Sequence, residues 1–290
     1  MVRKYKPFLF LLPSLVFLIL FTYFPISYSL FYSFHEYNMY TRKPIFCGLK
    51  NYINMLHDSI FWQVVFNNVI YGVFTIFPTM FMALFLAILI DEVSKFKTFY
   101  QMGIFYPTII PMTAAAMVWM FMYDPSLGII NKFLGLLHLP QPGWLGDSKT
   151  SLLSLIIMAI WKNLGYYMLL YLAGLQLIPR ELYEAADIEG ANWFRKHYHV
   201  TFPLVSPTTL FVFIVSIIQS FKVFTQVYLM TQGGPGYSSS VLVFYIYENA
   251  FRYWDIGMAS ALTSVMILVL LFLVLLVFGV FGKRVTYSLI

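Results

Sequence analysis

Residues 59–90 read SIFWQVVFNNVIYGVFTIFPTMFMALFLAILI and carry no charged side chain, with Asp58 and Asp91 flanking them. A helix needs about 20 predominantly apolar residues to cross the hydrocarbon layer of a bilayer. This stretch is longer than that. An occasional Gly or Pro inside a membrane helix is tolerated when neighbouring helices satisfy the freed backbone groups. The stretch therefore predicts a membrane-spanning helix.

The composition of the whole chain agrees with this prediction. Of the 290 residues, 60% are apolar and 10% are charged, and the mean hydropathy is +0.77. A soluble domain carries about 25% charged residues because it needs a hydrated surface. We therefore expect an all-α, polytopic membrane protein that forms one transmembrane domain over residues 1–290. The only cysteine, Cys47, excludes an internal disulfide and a cysteine-based metal cluster.

Five further apolar runs predict five more spans. The first run has a basic start, but it is too long for a signal peptide and no small-residue cleavage site follows it, so a retained helix is expected. The six predicted spans cover about residues 8–34, 60–90, 98–123, 151–178, 204–230 and 256–282.

The distribution of lysine and arginine predicts the orientation, because these residues favour cytoplasmic loops. Six spans place both termini on one side, and that side holds ten basic residues against six on the other. The ten are Arg3, Lys4, Lys6, Lys95, Lys97, Arg180, Arg195, Lys196, Lys283 and Arg284. The six are Arg42, Lys43, Lys50, Lys132, Lys149 and Arg252. We therefore expect cytoplasmic termini, and the net charge of +6 reflects topology rather than nucleic acid binding.

The largest predicted cytoplasmic loop, residues 179–203, contains a helix pattern of its own. Pro179 suits the first position of a helix and Gly190 suits its end. Ala185 and Ala186 let another backbone approach closely, as in helix-in-groove docking. A helix lying on lipid headgroups is the alternative, but an anionic leaflet would repel the acidic residues of this loop. These are Glu181, Glu184, Asp187 and Glu189.

Residues 178–191 read IPRELYEAADIEGA, and residues 201–204 read TFPL. This stretch resembles the Glu-Ala-Ala loop of binding-protein-dependent ABC importer permeases, whose helices sit in a cleft of the ATP-hydrolysing subunit. Residues 231–235, TQGGP, and 245–251, YIYENAF, are similar to the carbohydrate-uptake branch of that family, in the subunit type of the larger maltose permease and the first glycerol-phosphate permease. The resemblance implies that the ATPase-coupling residues are Glu184, Ala185, Ala186, Asp187, Gly190 and Pro203.

The resemblance also implies an architecture and a set of partners. The fold would be the type I ABC importer permease fold, with six transmembrane helices in a bacterial or archaeal plasma (inner) membrane. The partners would be a homologous second permease subunit in a heterodimer, two ATP-binding ABC subunits, an extracytoplasmic solute-binding protein and membrane lipid. No nucleic acid and no cofactor are expected. The chain lacks a Gly-x-x-x-x-Gly-Lys-Ser/Thr loop for ATP phosphates, so we expect the partner subunits to hydrolyse ATP.

In the maltose-type permease, the sugar touches the helices before and after this loop. The matching stretches here are residues 161–167 and 219–224. They supply the hydrogen-bonding groups and aromatic faces that a sugar needs. The resemblance implies a substrate pathway that contains Asn163, Gly165, Tyr167, Gln219, Ser220 and Lys222.

Two lysines fall inside predicted spans, where a charge at the bilayer centre costs about 2.5 to 3.5 kcal/mol on insertion scales. We interpret Lys162 as lying near the outer surface, where its side chain can snorkel to the headgroups. Lys222 has no such route, and related sequences often carry an acidic residue where Thr225 stands. We expect Lys222 to pair across helices or to help bind an anionic or polar ligand, and to face the partner permease.

Other classes of function fit the sequence less well. A stand-alone secondary transporter or channel predicts intramembrane carboxylates, but every carboxylate lies outside the predicted spans. An intramembrane enzyme would need catalytic residues, and no catalytic constellation is present. His197 and His199 lack further ligands at metal spacing, so no metal site is expected.

Overall fold

The computed structural model describes residues 2–38, 43–93 and 95–282, with side chains from Phe10 onward in these ranges. The α-helices are α1 Val2–Leu18, α2 Phe24–Ser33, α3 Lys50–His57, α4 Ser59–Glu92, α5 Lys97–Ile109, α6 Met112–Met122, α7 Ile129–Leu136, α8 Ser151–Leu175, α9 Arg180–Ile188, α10 Trp193–Lys196, α11 Phe202–Leu204, α12 Ser206–Phe221, α13 Thr225–Met230, α14 Leu242–Tyr247 and α15 Ile256–Phe281. Three π-helical segments are Ile19–Tyr23, His197–Thr201 and Glu248–Arg252, and a 3-10 turn is Trp144–Gly146. Two antiparallel strands are β1 His35–Asn38 and β2 Lys43–Phe46.

Five helical segments in the described part of the chain are long and apolar enough to cross a membrane. They are Phe10–Ser33, Ser59–Glu92, Ser151–Leu175, Ser206–Met230 and Ile256–Phe281. The bent pair α5 and α6 supplies a sixth if the two helices form one span. The all-α membrane fold is therefore confirmed. Among the basic residues used for orientation, Arg42, Lys283 and Arg284 lie outside the described residues, as do the side chains of Arg3, Lys4 and Lys6.

The third predicted span, about residues 98–123, is broken rather than straight. Helices α5 and α6 meet at an angle of 94°. Ile110 is extended, with φ −61° and ψ 132°, and it precedes Pro111. Proline disfavours the helical conformation for the residue before it and has no backbone N–H of its own to donate. The break therefore has a local cause in the sequence.

The fifth predicted span is also interrupted. Helix α12 ends at Phe221, and α13 begins at Thr225. Between them, Phe224 has φ −142° and ψ −60°, which is not a helical conformation. No proline explains this break. It places three residues of irregular backbone, Lys222 to Phe224, inside an apolar segment.

The chain divides into two compact units. The first, Met1–Trp62 with Tyr245–Val269, contains the β1–β2 hairpin, which the sequence analysis did not anticipate. In this unit Asn51 Nδ2 donates to the backbone oxygens of Ser33 and His35, at 2.9 and 3.1 Å. Helix α3 is therefore tied to the end of α2 and the start of β1.

The second unit, Gln63–Phe244 with Leu270–Ile290, has its core between α4, α8 and α12. Ala83 and Ala87 of α4 are fully buried there. On α8, a Cβ at Gly174 would lie 2.3 Å from Thr208 Oγ1. Small residues at these positions let membrane helices pack closely, where dispersion and hydrogen bonds replace the hydrophobic effect as the driving force. The buried core residues are Ala83, Ala87, Ile88, Ile90, Tyr167, Met168, Tyr171, Leu172, Leu175, Ile178, Val205 and Val212.

Candidate functional site

A polar cavity lies between α4, α8 and α12 in the second unit. Its lining residues are Tyr71, Thr75, Ile76, Asn163, Tyr167, Ser216, Gln219 and Ser220. Four of the six residues predicted for the substrate pathway, Asn163, Tyr167, Gln219 and Ser220, therefore come together at one place. Its volume is about 20 Å³, which holds about one water molecule. A solute larger than water requires these helices to move apart.

The sequence analysis missed the contribution of α4 to this cavity. Tyr71 and Thr75 line it, and Tyr71 accepts a hydrogen bond from Gln226 Nε2 at 2.5 Å. Tyr71, Thr75 and Thr79 are spaced by four residues, so they share one face of an otherwise apolar helix. That spacing is the pattern from which the contribution of α4 could have been predicted.

Gly165 does not line this cavity but packs against α5. A Cβ at Gly165 would lie 2.3 Å from the Ile104 carbonyl oxygen and 2.6 Å from Phe105 Cα. These are backbone atoms, so they cannot swing away as the end of a flexible side chain could. The observed place of Gly165 is a close contact between two helices.

Lys222 also lies outside the cavity lining. It is exposed in the isolated chain and ends α12, where its backbone N–H donates to the Gln219 oxygen at 3.2 Å. Its ammonium has no hydrogen-bond partner within the described part of the chain. A cation inside an apolar segment needs water, protein or an anion beside it.

Lys162 contradicts the interpretation that its side chain snorkels to the headgroups. The residue is only 7% exposed. Its ammonium donates to three backbone oxygens at the break between α5 and α6: Pro107 at 2.6 Å, Thr108 at 2.9 Å and Ile110 at 2.5 Å. The carbonyls at the end of a helix have no intrahelical partners and carry partial negative charge, so a buried cation is stabilised there. Sequence reasoning missed this because the partners are more than 50 positions away.

Two turns that contain Gly and Pro, at residues 124–128 and 231–240, are ordered by hydrogen bonds. Asp124 Oδ1 accepts from the backbone of Leu127 at 2.7 Å and of Ser126 at 2.9 Å, and these bonds lower the pKa of that carboxyl. In the second turn, Asn67 Nδ2 on α4 donates to the carbonyls of Tyr237 and Ser240, at 2.7 and 3.0 Å. An asparagine on a spanning helix thus fixes the 231–240 segment.

The 179–203 loop forms the short helix predicted from its sequence. Helix α9 is Arg180–Ile188, and Gly190 has φ +73°. Ala191 N–H donates to the Ala186 oxygen at 2.9 Å, and Gly190 N–H donates to the Asp187 oxygen at 3.0 Å. This pair of bonds is the Schellman motif, which favours glycine at the left-handed position. The prediction that Gly190 ends the helix is confirmed.

The predicted coupling residues lie on the surface of this loop. Glu184, Ala185, Asp187, Gly190 and Pro203 are exposed, and Ala186 is half-buried. A surface depression of about 420 Å³ runs between α9 and the stretch that follows it. It is lined by Leu182, Ala185, Ala186, Glu189, Ala191, Arg195, His199 and Val200.

Apolar side chains surround this depression. Ile188 is 88% exposed, Phe194 is 77% exposed and Tyr198 is 67% exposed. Contiguous exposed apolar residues beside charged ones are typical of a protein–protein interface. The loop therefore presents an unpartnered surface to whatever lies outside the membrane at this end of α8 and α12.

The spans, their two breaks and the polar cavity define a polytopic α-helical membrane protein with a candidate solute pathway. Residues 68–287 match the family described as "Binding-protein-dependent transport system inner membrane component". The chain belongs to this family of ABC importer permeases, as the resemblance of its 179–203 loop predicted.

Individual relatives agree with this assignment. The probable ABC transporter permease protein YurN of Bacillus subtilis is 37% identical over 94% of this chain and 95% of its own length. The sn-glycerol-3-phosphate transport system permease protein UgpA of Brucella suis is 31% identical over 99% of this chain and 98% of its own. The sulfoquinovosyl glycerol transport system permease protein SmoG of Agrobacterium fabrum is 32% identical over 89% of this chain and 84% of its own.

A solved structure shares the fold. It is the bacterial alginate ABC transporter in complex with alginate pentasaccharide-bound periplasmic protein, and one of its chains superposes with a TM-score of 0.86. The alignment covers 99% of this chain and 97% of that one, at 22% sequence identity. At this identity, the likeness establishes the fold alone.

Proposed function

We propose that the chain forms half of the translocation pathway of an importer for a sugar, an oligosaccharide or a related polyol. The observation that carries the proposal is the convergence of Asn163, Tyr167, Gln219 and Ser220 on one cavity inside the spans. Amide, hydroxyl and aromatic groups in one place suit a solute with many hydroxyl groups. Two relatives are named for sn-glycerol-3-phosphate and for sulfoquinovosyl glycerol, and both names contain a glycerol unit. This supports a polyhydroxylated substrate.

The closed cavity and the exposed Lys222 support a pathway that is completed by a second chain. A homologous permease subunit pairs with this one in a heterodimer and supplies the facing wall. A solute-binding protein delivers the substrate at the outer surface of a bacterial or archaeal plasma membrane. Two ATP-binding subunits dock at the 179–203 loop and hydrolyse ATP, since this chain has no loop of its own for ATP phosphates.

Glu184 and Gly190 couple ATP hydrolysis to transport without touching the substrate. Both are exposed on the 179–203 loop, and the left-handed Gly190 sets the direction in which the chain leaves α9. Glu184→Lys reverses a charge on the docking surface, which costs affinity if the partner surface is complementary. Gly190→Val puts a β-branched residue at a positive φ, which strains the turn.

Co-purification of the ATP-binding subunit and ATP-dependent uptake by cells test this proposal in parallel. We expect both variants to insert in the membrane but to lose uptake together with ATPase association. Glu36→Lys and Gly48→Val are matched controls, because Glu36 forms an exposed ion pair with Lys50 and Gly48 has φ +60° with no atom near its missing Cβ. Normal uptake and normal association in both loop variants would disprove the coupling role. Uptake by this chain without any ATP-binding subunit would favour a secondary transporter.

Both termini and the 179–203 loop lie in the cytoplasm in this proposal. Lys95 and Ser148 are both exposed, and they fall in loops expected on opposite sides of the membrane. In a Cys47→Ser background, a membrane-impermeant maleimide applied to intact cells is expected to label Ser148→Cys but not Lys95→Cys. Labelling of Lys95→Cys but not of Ser148→Cys would show that the topology is the opposite of the proposed one.

A further inference from the structure

Glu92, the last residue of α4, is bound to the 179–203 loop at three points. The Trp193 indole Nε1 donates to its two carboxylate oxygens, at 2.9 Å to Oε1 and 3.1 Å to Oε2. His197 Nε2 lies 3.0 Å from Oε1. Hydrogen bonds to a carboxylate are stronger than those between neutral groups. One side chain of a spanning helix thus holds two residues of the loop that are four positions apart.

The contacts continue from His197 to α9. His197 is buried, and its Nδ1 lies 2.7 Å from Thr201 Oγ1. The Tyr183 hydroxyl lies 3.0 Å from the same Thr201 oxygen. Tyr183 belongs to α9, and its half-buried position raises the pKa of its hydroxyl, so that group stays protonated and able to donate. The network therefore joins α4 to both halves of the 179–203 loop.

The described side chains leave space beside this network. A cavity of about 190 Å³ is lined by Ile88, Asp91, Glu92, Leu175, Tyr183, Lys196 and His197. The other charged groups here pair elsewhere, Asp91 with Lys97 at 2.7 Å and Lys196 with Asp187 at 2.5 Å. Both of those pairs are partly exposed, as is Glu92 itself, so none of these ion pairs contributes much through its charge alone. Within this hydrogen-bond network, the contacts of Glu92 are the ones that reach from α4, and apolar residues of α4 such as Ile88 pack in the same cluster as Tyr183 and Trp193.

Helix α4 also lines the polar cavity, through Tyr71 and Thr75. Thr75 and Glu92 are 17 positions apart, which corresponds to about 26 Å along an α-helix. A helix that carries one residue in the pathway and one in the loop is a physical link between them, of the kind by which coupling passes between distant sites.

Resting on the proposed function, we infer that Glu92 is a positioning residue that makes α4 move with the 179–203 loop. When the ATP-binding subunits displace the loop, the Glu92 contacts pull the end of α4, and its Tyr71–Thr75 face moves relative to α8 and α12. Glu92 is not part of the docking surface, because it holds the loop from the side of the spans.

The experiment uses the assembled transporter with its second permease, ATP-binding subunits and binding protein. A Thr75→Cys probe in a Cys47→Ser background reports the opening of the cavity through its rate of modification by a small, water-soluble thiol reagent. The rate on this chain is compared with and without ATP and vanadate. No knowledge of the substrate is needed. The variants are Glu92→Ala, Glu92→Gln, Trp193→Phe and, as a neighbouring carboxylate control, Asp91→Ala.

We expect the Glu92→Ala transporter to retain its ATP-binding subunits and its ATP hydrolysis, while the nucleotide-dependent change in labelling rate falls at least about fivefold, the lower end of usual coupling factors. Glu92→Gln keeps one acceptor oxygen for the contacts that Oε1 makes with Trp193 and His197, and it restores most of the change. Trp193→Phe lowers the nucleotide-dependent change in labelling rate in part. In the Glu92→Ala Trp193→Phe double variant this change is no smaller than in Glu92→Ala alone, because the effects of substituting contacting residues are not additive. Asp91→Ala leaves the nucleotide-dependent change in labelling rate unchanged.

If the Glu92→Ala transporter still showed the full nucleotide-dependent change in labelling rate, the inference would be wrong and the proposed function would still stand. Loss of the ATP-binding subunits in Glu92→Ala would also overturn it, because Glu92 would then build the docking surface. If the transporter with native Glu92 showed neither bound ATP-binding subunits nor any nucleotide-dependent change, the proposed function itself would fail, and the inference with it.

Discussion

Lys162 and Lys222 occupy comparable places in the sequence but opposite environments in the structure. Each lies in a predicted apolar span and is one or two positions from a residue that lines the polar cavity, Asn163 for Lys162 and Ser220 for Lys222. Lys162 is buried and gives its ammonium to three carbonyls at the α5–α6 break. Lys222 is exposed at the α12–α13 break. A lysine in a span is thus found in two settings: the carbonyls of a broken helix receive its charge, or its side chain is exposed in the isolated chain.

The two helix breaks, α5–α6 and α12–α13, differ in the same way as the two lysines. The α5–α6 break follows from Ile110 and Pro111, and Lys162 satisfies the carbonyls that it frees. The α12–α13 break has no proline, and the lysine within it has no hydrogen-bond partner among the described residues. Irregular backbone at membrane depth persists where protein buries it or water reaches it. The first break is therefore closed by a lysine of this chain, whereas the lysine at the second break is exposed.

The largest expected effect is the loss of the Lys162 ammonium. In Lys162→Met, three buried carbonyls lose their donor, and hydrogen bonds to a charged group contribute about 1.5–3 kcal/mol each before the cost of burying the charge is subtracted. We expect a net loss of about 2–3 kcal/mol in stability, measured as a lower thermal unfolding midpoint of the purified complex. Lys132→Met, at an exposed position, is the control. Equal midpoints for the two variants would contradict the buried role of Lys162.

A smaller effect is expected from Gly165→Ala, one turn after Lys162 on the same helix. The new Cβ would meet the α5 backbone at 2.3 Å, and such overpacking costs about 1–3 kcal/mol. Gly103→Ala in α5 is the matched control, because no atom lies within 4 Å of its missing Cβ. That control should be stabilised by about 0.5–1 kcal/mol, as helical glycines usually are when replaced by alanine. An unfolding midpoint for Gly165→Ala above that of the unsubstituted protein would show that the α5–α8 contact leaves room for a methyl group.

The smallest effect on stability is expected at Lys222. Lys222→Met should change stability by no more than about 0.5 kcal/mol, as surface substitutions usually do, while it reduces uptake. Lys222→Cys carrying a photoactivatable maleimide tests what it faces. We expect a crosslink to the second permease subunit, and none when that subunit is not expressed. Adducts with lipid alone would place Lys222 on the acyl chains and would remove it from the pathway.

The Gly190 turn was predicted from a local pattern, and four residues of the cavity were predicted from the family resemblance. The Gly190 turn depends on hydrogen bonds within six residues, so the pattern around α9 determines it. Asn163 and Tyr167 are one helical turn apart, and so are Ser216 and Ser220, which is why each pair lines one side of the cavity. Gly165 falls between them on a different face of α8 and packs against α5 instead.

The sequence alone predicts the membrane fold, the apolar spans, the helix and glycine turn of the 179–203 loop and the family to which the chain belongs. These follow from local hydrophobicity, backbone preference and an ordered motif. The packing of the helices was needed to identify what receives the Lys162 charge, which helices meet the polar face of α4, and that Glu92 holds the loop. Those contacts join residues between 52 and 155 positions apart. Hydropathy reports that a segment is buried, whereas the partner of a buried polar group depends on which helices pack together, and on how they bend.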